Sequence, residues 1–114
     1  MTIEELLESP QSKEVLEWLQ AGQPDSRTLG ELPTTEASIS LAYELYSLGA
    51  VQIIAAKIKT YDSGEENTGK LILWLPENRV ARAKLFAWNS EHANEFGFDP
   101  DEDVGQKYLL LMLD

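Results

Sequence analysis

A chain of 114 residues with 20 acidic and 9 basic side chains carries a formal charge of −11, and 43% of it is apolar. That balance is that of a folding globular domain, long enough to bury roughly two-thirds of its unfolded surface around one core, and it weighs against nucleic acid or anionic lipid as a partner. Without cysteine there are no disulfides, thiolate metal sites or cysteine nucleophiles, and with apolar runs too short for a bilayer and no secretory signal, a cytoplasmic protein is expected.

Thr2 and Glu5 have the spacing of a capping box and open a short helix over 3–8. Ser9 before Pro10 reads as a second N-cap with proline at the first helical position. The helix it opens runs to about Gln20 with Val15, Leu16, Trp18 and Leu19 apolar, and Gly22 is placed to end it in the left-handed conformation. Residues 23–33 are rich in turn formers; Thr28 to Leu32 has the makings of a short strand, with Gly30 against it. From Thr34 or Thr35 a helix brings Leu41, Ala42, Leu45 and Leu48 onto one stripe, widened by Ile39, Tyr43 and Tyr46, and leaves Ser40, Glu44 and Ser47 to solvent before Gly49 ends it.

The remaining chain is organised around residues 50–76, two strands joined by a polar loop. Ala50 to Ala56 carries no charge and needs cover on both faces, after which Ile58 alternates with Lys57, Lys59 and Tyr61. Asp62 to Asn67 reads as loop, and from Gly69 onward Leu71, Leu73 and Leu75 share one strand face while Lys70, Ile72 and Trp74 share the other. Pro76 marks a boundary before a long helix from about Glu77 to Asn94, with Ala81, Leu85, Trp88 and Phe96 inward and Gly97 closing it. A last strand over 106–113 alternates Leu109, Leu111 and Leu113 with Tyr108, Leu110 and Met112.

These elements predict one α+β domain over 1–114: a small mixed sheet of three or four strands with two helices on one face, in ferredoxin-like element order with a weak or missing first strand. Residues 34–114 form its helix-strand-strand-helix-strand core and residues 1–22 a helical extension. Return strand, long helix and last strand read as a right-handed parallel crossover. The opposite sheet face then carries bulky residues such as Ile72, Trp74 and Tyr108, a patch costly in water, which either the N-terminal helices or a second copy must cover.

Candidate chemistry is sparse. Asp99, Asp101, Glu102, Asp103 and Gly105 resemble a calcium loop in composition, but Leu110 stands where the bidentate Glu belongs, so a solvated acidic turn is the plainer reading and no metal is expected. His92 is the single histidine and has no serine elbow or second histidine to work with. Lys57, Lys59, Tyr61, Lys70 and Trp74 have the composition of a base-stacking platform without its sequence motifs. Arg79 and Arg82 sit near the start of the long helix, against its dipole, and call for a carboxylate partner. No catalytic, cofactor-binding or metal residue is assigned, and Ile72, Trp74, Tyr108, Arg79 and Arg82 form the candidate interaction surface. The function expected is a non-catalytic one exercised through protein contacts or self-association, as a regulator, a subunit or an immunity-like acidic decoy. The alternative is a small-molecule binder or carboxylate-dependent enzyme with its pocket between sheet and N-terminal helices.

Overall fold

The computed structural model describes residues 2–95 and 102–113. At the N-terminus Thr2 Oγ1 accepts from the Glu5 N–H (3.2 Å) and helix α1 spans Ile3–Glu8. Ser9 does not cap a second helix. It closes the first, with its N–H on the Leu6 carbonyl and its hydroxyl donating to Gln11 Oε1. The chain then forms the two-residue strand β1 (Lys13–Glu14), and helix α2 occupies Val15–Ala21. The cap of α2 is Glu14, whose carboxylate accepts from the Glu17 N–H (2.8 Å), where the helix dipole favours negative charge. Gly22, expected left-handed, is extended at φ −87° and ψ 174°; a Cβ there would lie 2.7 Å from the Arg27 side chain, which would have to shift.

The first of the two long predicted strands is divided between two sheets, and a short strand of the smaller sheet precedes the second, inside the predicted loop. Strand β3 (Gln52–Ala56) ends at Lys57, which turns the chain with φ +52°, and β4 (Lys59–Thr60) continues elsewhere. On the return, β5 (Glu66–Thr68) precedes β6 (Lys70–Trp74). A larger sheet therefore runs β1-β3-β6-β7, where β7 is Tyr108–Met112, and a smaller one runs β2-β5-β4, where β2 is Arg27–Leu29. Buried Thr68 pins the bend, its hydroxyl donating to the Ala56 carbonyl. Glu66 and Asn67, read as loop from their polarity, are strand residues because their side chains are partnered: Asn67 Nδ2 donates to Thr28 Oγ1 (2.9 Å) and to the Gly30 carbonyl (3.0 Å).

Helix α3 (Thr35–Ser47) is capped by Thr34 and buries Ala42 and Leu45 as expected, but Tyr43 stands 54% exposed, outside the stripe. Helix α4 (Arg79–Glu95) has Asn78 Oδ1 accepting from the Ala81 N–H in its first turn. It buries Leu85, Phe86 and Asn89, a face rotated from the predicted one, with Trp88 only half-buried; the Asn89 amide nitrogen has no partner among the described residues. Phe96 and Gly97 lie outside the described residues. The parallel crossover is overturned: β6 and β7 are direct antiparallel neighbours, Trp74 opposite Tyr108 and Lys70 opposite Met112. The reason is that the chain comes back after α4. By Asp103 it is again beside Arg82 in the early part of that helix, and the Lys107 carbonyl accepts from Leu75 N–H (2.8 Å). The ferredoxin-like order is accordingly not confirmed, since β2 sits in the second sheet and not between β6 and β7; the described residues form a mixed α+β arrangement of two small sheets and four helices.

Alternation along the strands sorts the core. Ile53, Ala55, Leu71, Leu73, Leu109 and Leu111 face α2, α3 and α4 in the main cluster, while Ala56 and Ile72 face Leu6 of α1 in a second one, joined by half-buried Ile3, Leu7, Ile54, Tyr108 and Leu110. The two N-terminal helices thus take opposite sides of the sheet, and among the described residues only α1 covers the second face. Tyr46 ties three elements: its hydroxyl donates to Glu14 Oε2 (2.6 Å) and accepts from Ile53 N–H (3.0 Å). Burial, then the bond to the Glu14 carboxylate, push the phenol up to about 12. Tyr46→Phe leaves the Ile53 amide and the cap carboxylate short of a partner and is expected to cost about 1–3 kcal/mol by urea unfolding. The raised value also sets a sign. The tyrosine's contribution is intact below its unfolded value near 10 and is lost as pH rises through the folded one, so the wild-type alkaline unfolding limb should be steeper than that of the variant.

Candidate functional site

On the sheet face that α1 covers, one large apolar side chain stays exposed. A six-residue helix is about 9 Å long and cannot span the sheet; Leu6 closes over Ile72, which is 1% exposed, while Trp74 at the end of β6 remains 40% exposed. Trp74 and Tyr108 form a tilted aromatic pair with ring centroids 6.2 Å apart, on neighbouring strands and directly opposite in register. Between this pair and α1 lies a cleft of about 140 Å³ lined by Leu7, Gln52, Ile54, Ile72, Trp74 and Tyr108. Its lining holds no carboxylate, imidazole or cation, and its polar side-chain groups are the Tyr108 hydroxyl, the Gln52 amide and the Trp74 indole N–H. Beside it the outer side of α1 carries Glu4, Glu5 and Glu8, all exposed.

Of the five predicted interaction residues the structure brings Trp74 and Tyr108 together on this face, with Ile72 as its buried floor. The arginines are engaged or placed differently. Arg82 makes a two-pronged bond to Asp103 (Nε to Oδ2 3.2 Å, Nη2 to Oδ1 2.6 Å), donates to the Pro76 carbonyl and lies over the Phe86 ring, while Arg79 is exposed. The Arg82 bond holds the Asp103 carboxyl below its usual range, assisted by Gly105 N–H, and Asp103 in turn raises the guanidinium. Asp103 is thus committed to a salt bridge; Asp99 and Asp101 of the same acidic loop lie outside the described residues. Among the described residues no three His, Asp or Glu side chains gather as a cation site. Leu7, Gln52 and Ile54 were not singled out by sequence, although Ile3, Leu6 and Leu7 at helical spacing already gave α1 an apolar side.

Other concavities lie elsewhere on the surface. Between α3 and α4 a cleft of about 240 Å³ is lined mainly by Leu29, Leu32, Leu41, Trp88, His92 and Leu113, with Glu31 and Glu44 at its polar side. His92 stacks on Trp88 (3.7 Å between ring centroids, 11° apart), and its Nδ1 lies 2.9 Å from the Trp88 carbonyl. A carbonyl only accepts, so Nδ1 carries the proton there and Nε2 is the free ring nitrogen. The second concavity, about 380 Å³ and polar, is lined by residues that include Asp25, Glu31, Glu65, Glu66 and Asn67. Glu66 is already spoken for: its carboxylate accepts from Trp18 Nε1 (3.1 Å) and Thr60 Oγ1 (2.9 Å) and pairs with Arg27 Nε (3.0 Å). Of the five residues with a base-stacking composition, Lys57, Lys59, Tyr61 and Lys70 line one concavity of about 240 Å³, Lys59 lying over the Tyr61 ring, while Trp74 is apart from them, paired with Tyr108 on the larger sheet.

Comparison of the chain with protein-family models, with curated proteins and with solved structures returns no match. No helix among the described residues is long and apolar enough to cross a membrane.

Proposed function

We propose that this is a non-catalytic cytoplasmic protein that works by binding another protein through the second sheet face, in the manner of a regulator, a subunit or an immunity-like protein. The observation that carries the reading is the half-covered face: α1 stops short and leaves the Trp74–Tyr108 pair at the rim of an apolar cleft. At about 140 Å³ that cleft is small beside the roughly 300–1,000 Å³ of ordinary ligand pockets, and paired aromatics next to a shallow apolar depression are what a protein anchor side chain uses. The acidic rim of α1 and the charge of −11 select a basic partner.

Capture from a cell extract on the immobilised chain tests this. Trp74→Ser is expected to weaken capture of the partner at least about tenfold, as hot-spot truncations do. Glu4, Glu5 and Glu8 changed together to Gln should slow association and flatten its salt dependence, because long-range attraction is screened beyond roughly 8–10 Å at physiological ionic strength. Glu14 is left out of this set because it caps α2. Capture indifferent to Trp74→Ser would overturn the proposal. A second reading, small-molecule binding, rests on the α3–α4 cleft with the free Nε2 of His92, and predicts instead that His92→Gln abolishes binding while Trp74→Ser does not.

A further inference from the structure

The sheet edges of this protein are not treated alike. In the larger sheet the β1 edge is two residues long and charged, Lys13–Glu14; in the smaller sheet the edges are β2, opened by Arg27, and β4, two residues with Lys59. Short strands and edge charges are the usual devices that keep edges from pairing with other chains. Strand β7 has neither. It is five residues, Tyr-Leu-Leu-Leu-Met, without a charge, and among the described residues nothing pairs with its outer side.

The register says which groups that edge offers. Leu75 N–H donates to the Lys107 carbonyl (2.8 Å) and Leu113 N–H to the Gly69 carbonyl (2.7 Å). In an antiparallel ladder residues turn their main-chain groups to the neighbour alternately, so Lys107, Leu109, Leu111 and Leu113 bond to the β6 side. Tyr108, Leu110 and Met112 therefore present N–H and C=O outward, and their half-buried side chains lie on the second sheet face.

We infer that β7 pairs with β7 of a second copy of this chain, antiparallel about a two-fold axis at Leu110. That axis sets Leu110 opposite Leu110 and Tyr108 opposite Met112, so every outward N–H meets a carbonyl, with no other sequence required. Side chains on the second face then run on without interruption from one copy to the other, apolar throughout the contact. Charge permits the same approach. Two chains of −11 repel, yet residues 104–113 contain no carboxylate and one base, Lys107, so the copies meet where neither is acidic. The pairing occupies the edge and leaves Trp74 open, and it stands or falls apart from the partner-binding proposal.

Sedimentation equilibrium of the full chain over a dilution series tests it. A monomer–dimer equilibrium is expected that tightens as salt rises, because screening relieves like-charge repulsion; binding of a basic partner has the opposite salt dependence. Leu110→Lys and Leu110→Glu, each placing like charges directly opposite, should weaken association at least about tenfold alone, and an equimolar mixture of the two should recover it. Amide exchange on the wild-type chain gives a readout free of substitutions: Tyr108, Leu110 and Met112 should gain protection with concentration. A chain that is monomeric throughout with those three amides exchanging freely, association untouched by the Leu110 variants, or no recovery on mixing would overturn the inference.

Discussion

Glu66→Ala is expected to lower stability by about 2–4 kcal/mol, because it strands the Trp18 indole N–H, the Thr60 hydroxyl and the Arg27 guanidinium together. The site is neither open water nor sealed interior: the paired side chains retain 23% and 20% of their exposure, which keeps the figure below that of a fully buried pair. Arg27 also donates to the Trp18 carbonyl (2.6 Å), so the carboxylate is the hub through which α2, β2, β4 and β5 hold one another. The pH dependence follows. Burial works against the charged carboxyl, but the bonds from Thr60 and Trp18 and the nearby Arg27 and Lys13 outweigh it and hold the group below its ordinary value. A depressed folded value means that its contribution is present above the unfolded value near 4.3 and is lost as pH falls through the folded one. Urea unfolding across the acid range should therefore show a steeper acid decline in the wild type than in Glu66→Gln.

Removing residues 1–8 is expected to leave a folded chain that is weaker and sticky. Leu6, 3% exposed against Ile72 and Ala56, is the anchor of α1, and losing a buried leucine alone costs about 2–4 kcal/mol. The bare face would then join Ile72 to Ile54, Tyr108, Leu110 and Trp74 in one apolar patch, so the truncated chain should self-associate in light scattering at concentrations where the full chain does not aggregate. Removing residues 1–22 is a different experiment, since it also takes Val15, Trp18 and Leu19 out of the main core and should abolish folding. An 1–8 deletion with unchanged melting temperature and scattering would show that α1 contributes no cover.

The unequal legibility of the sequence has physical causes. Thr2, Thr34, the alternation of Leu71 and Leu73 against Ile72 and Trp74, and the stripe of Ala42 and Leu45 were readable because each depends on neighbours three or four positions away, or on strand period. Glu66 and Asn67 were not, because what makes them strand residues is Trp18, Arg27 and Thr28, some forty positions distant in sequence. Lys57 was hidden for a related reason: nothing in a lysine announces φ +52°, and the division of one predicted strand between two sheets turns on it. The direction of β7 escaped because a helix between strands usually ends its crossover where it stops, whereas here Asp103 is again beside Arg82, in the early part of α4. Of the candidate face, Trp74 and Tyr108 were visible as bulky residues on a second strand face. That Ile72 would be sealed while Trp74 stayed open depended on the length of α1 and the side it took, which neither helix reveals alone.

The three tryptophans stand at three separate places: Trp18 in the main core, Trp74 on the second sheet face, Trp88 in the cleft beside His92. Their indole N–H resonances, followed by NMR while a captured partner is titrated in, report directly on where it docks. Docking on the second face shifts or broadens the Trp74 signal, with Tyr108 amide changes beside it, and leaves Trp18 and Trp88 in place. A titration that moves Trp88 and leaves Trp74 unperturbed would contradict it.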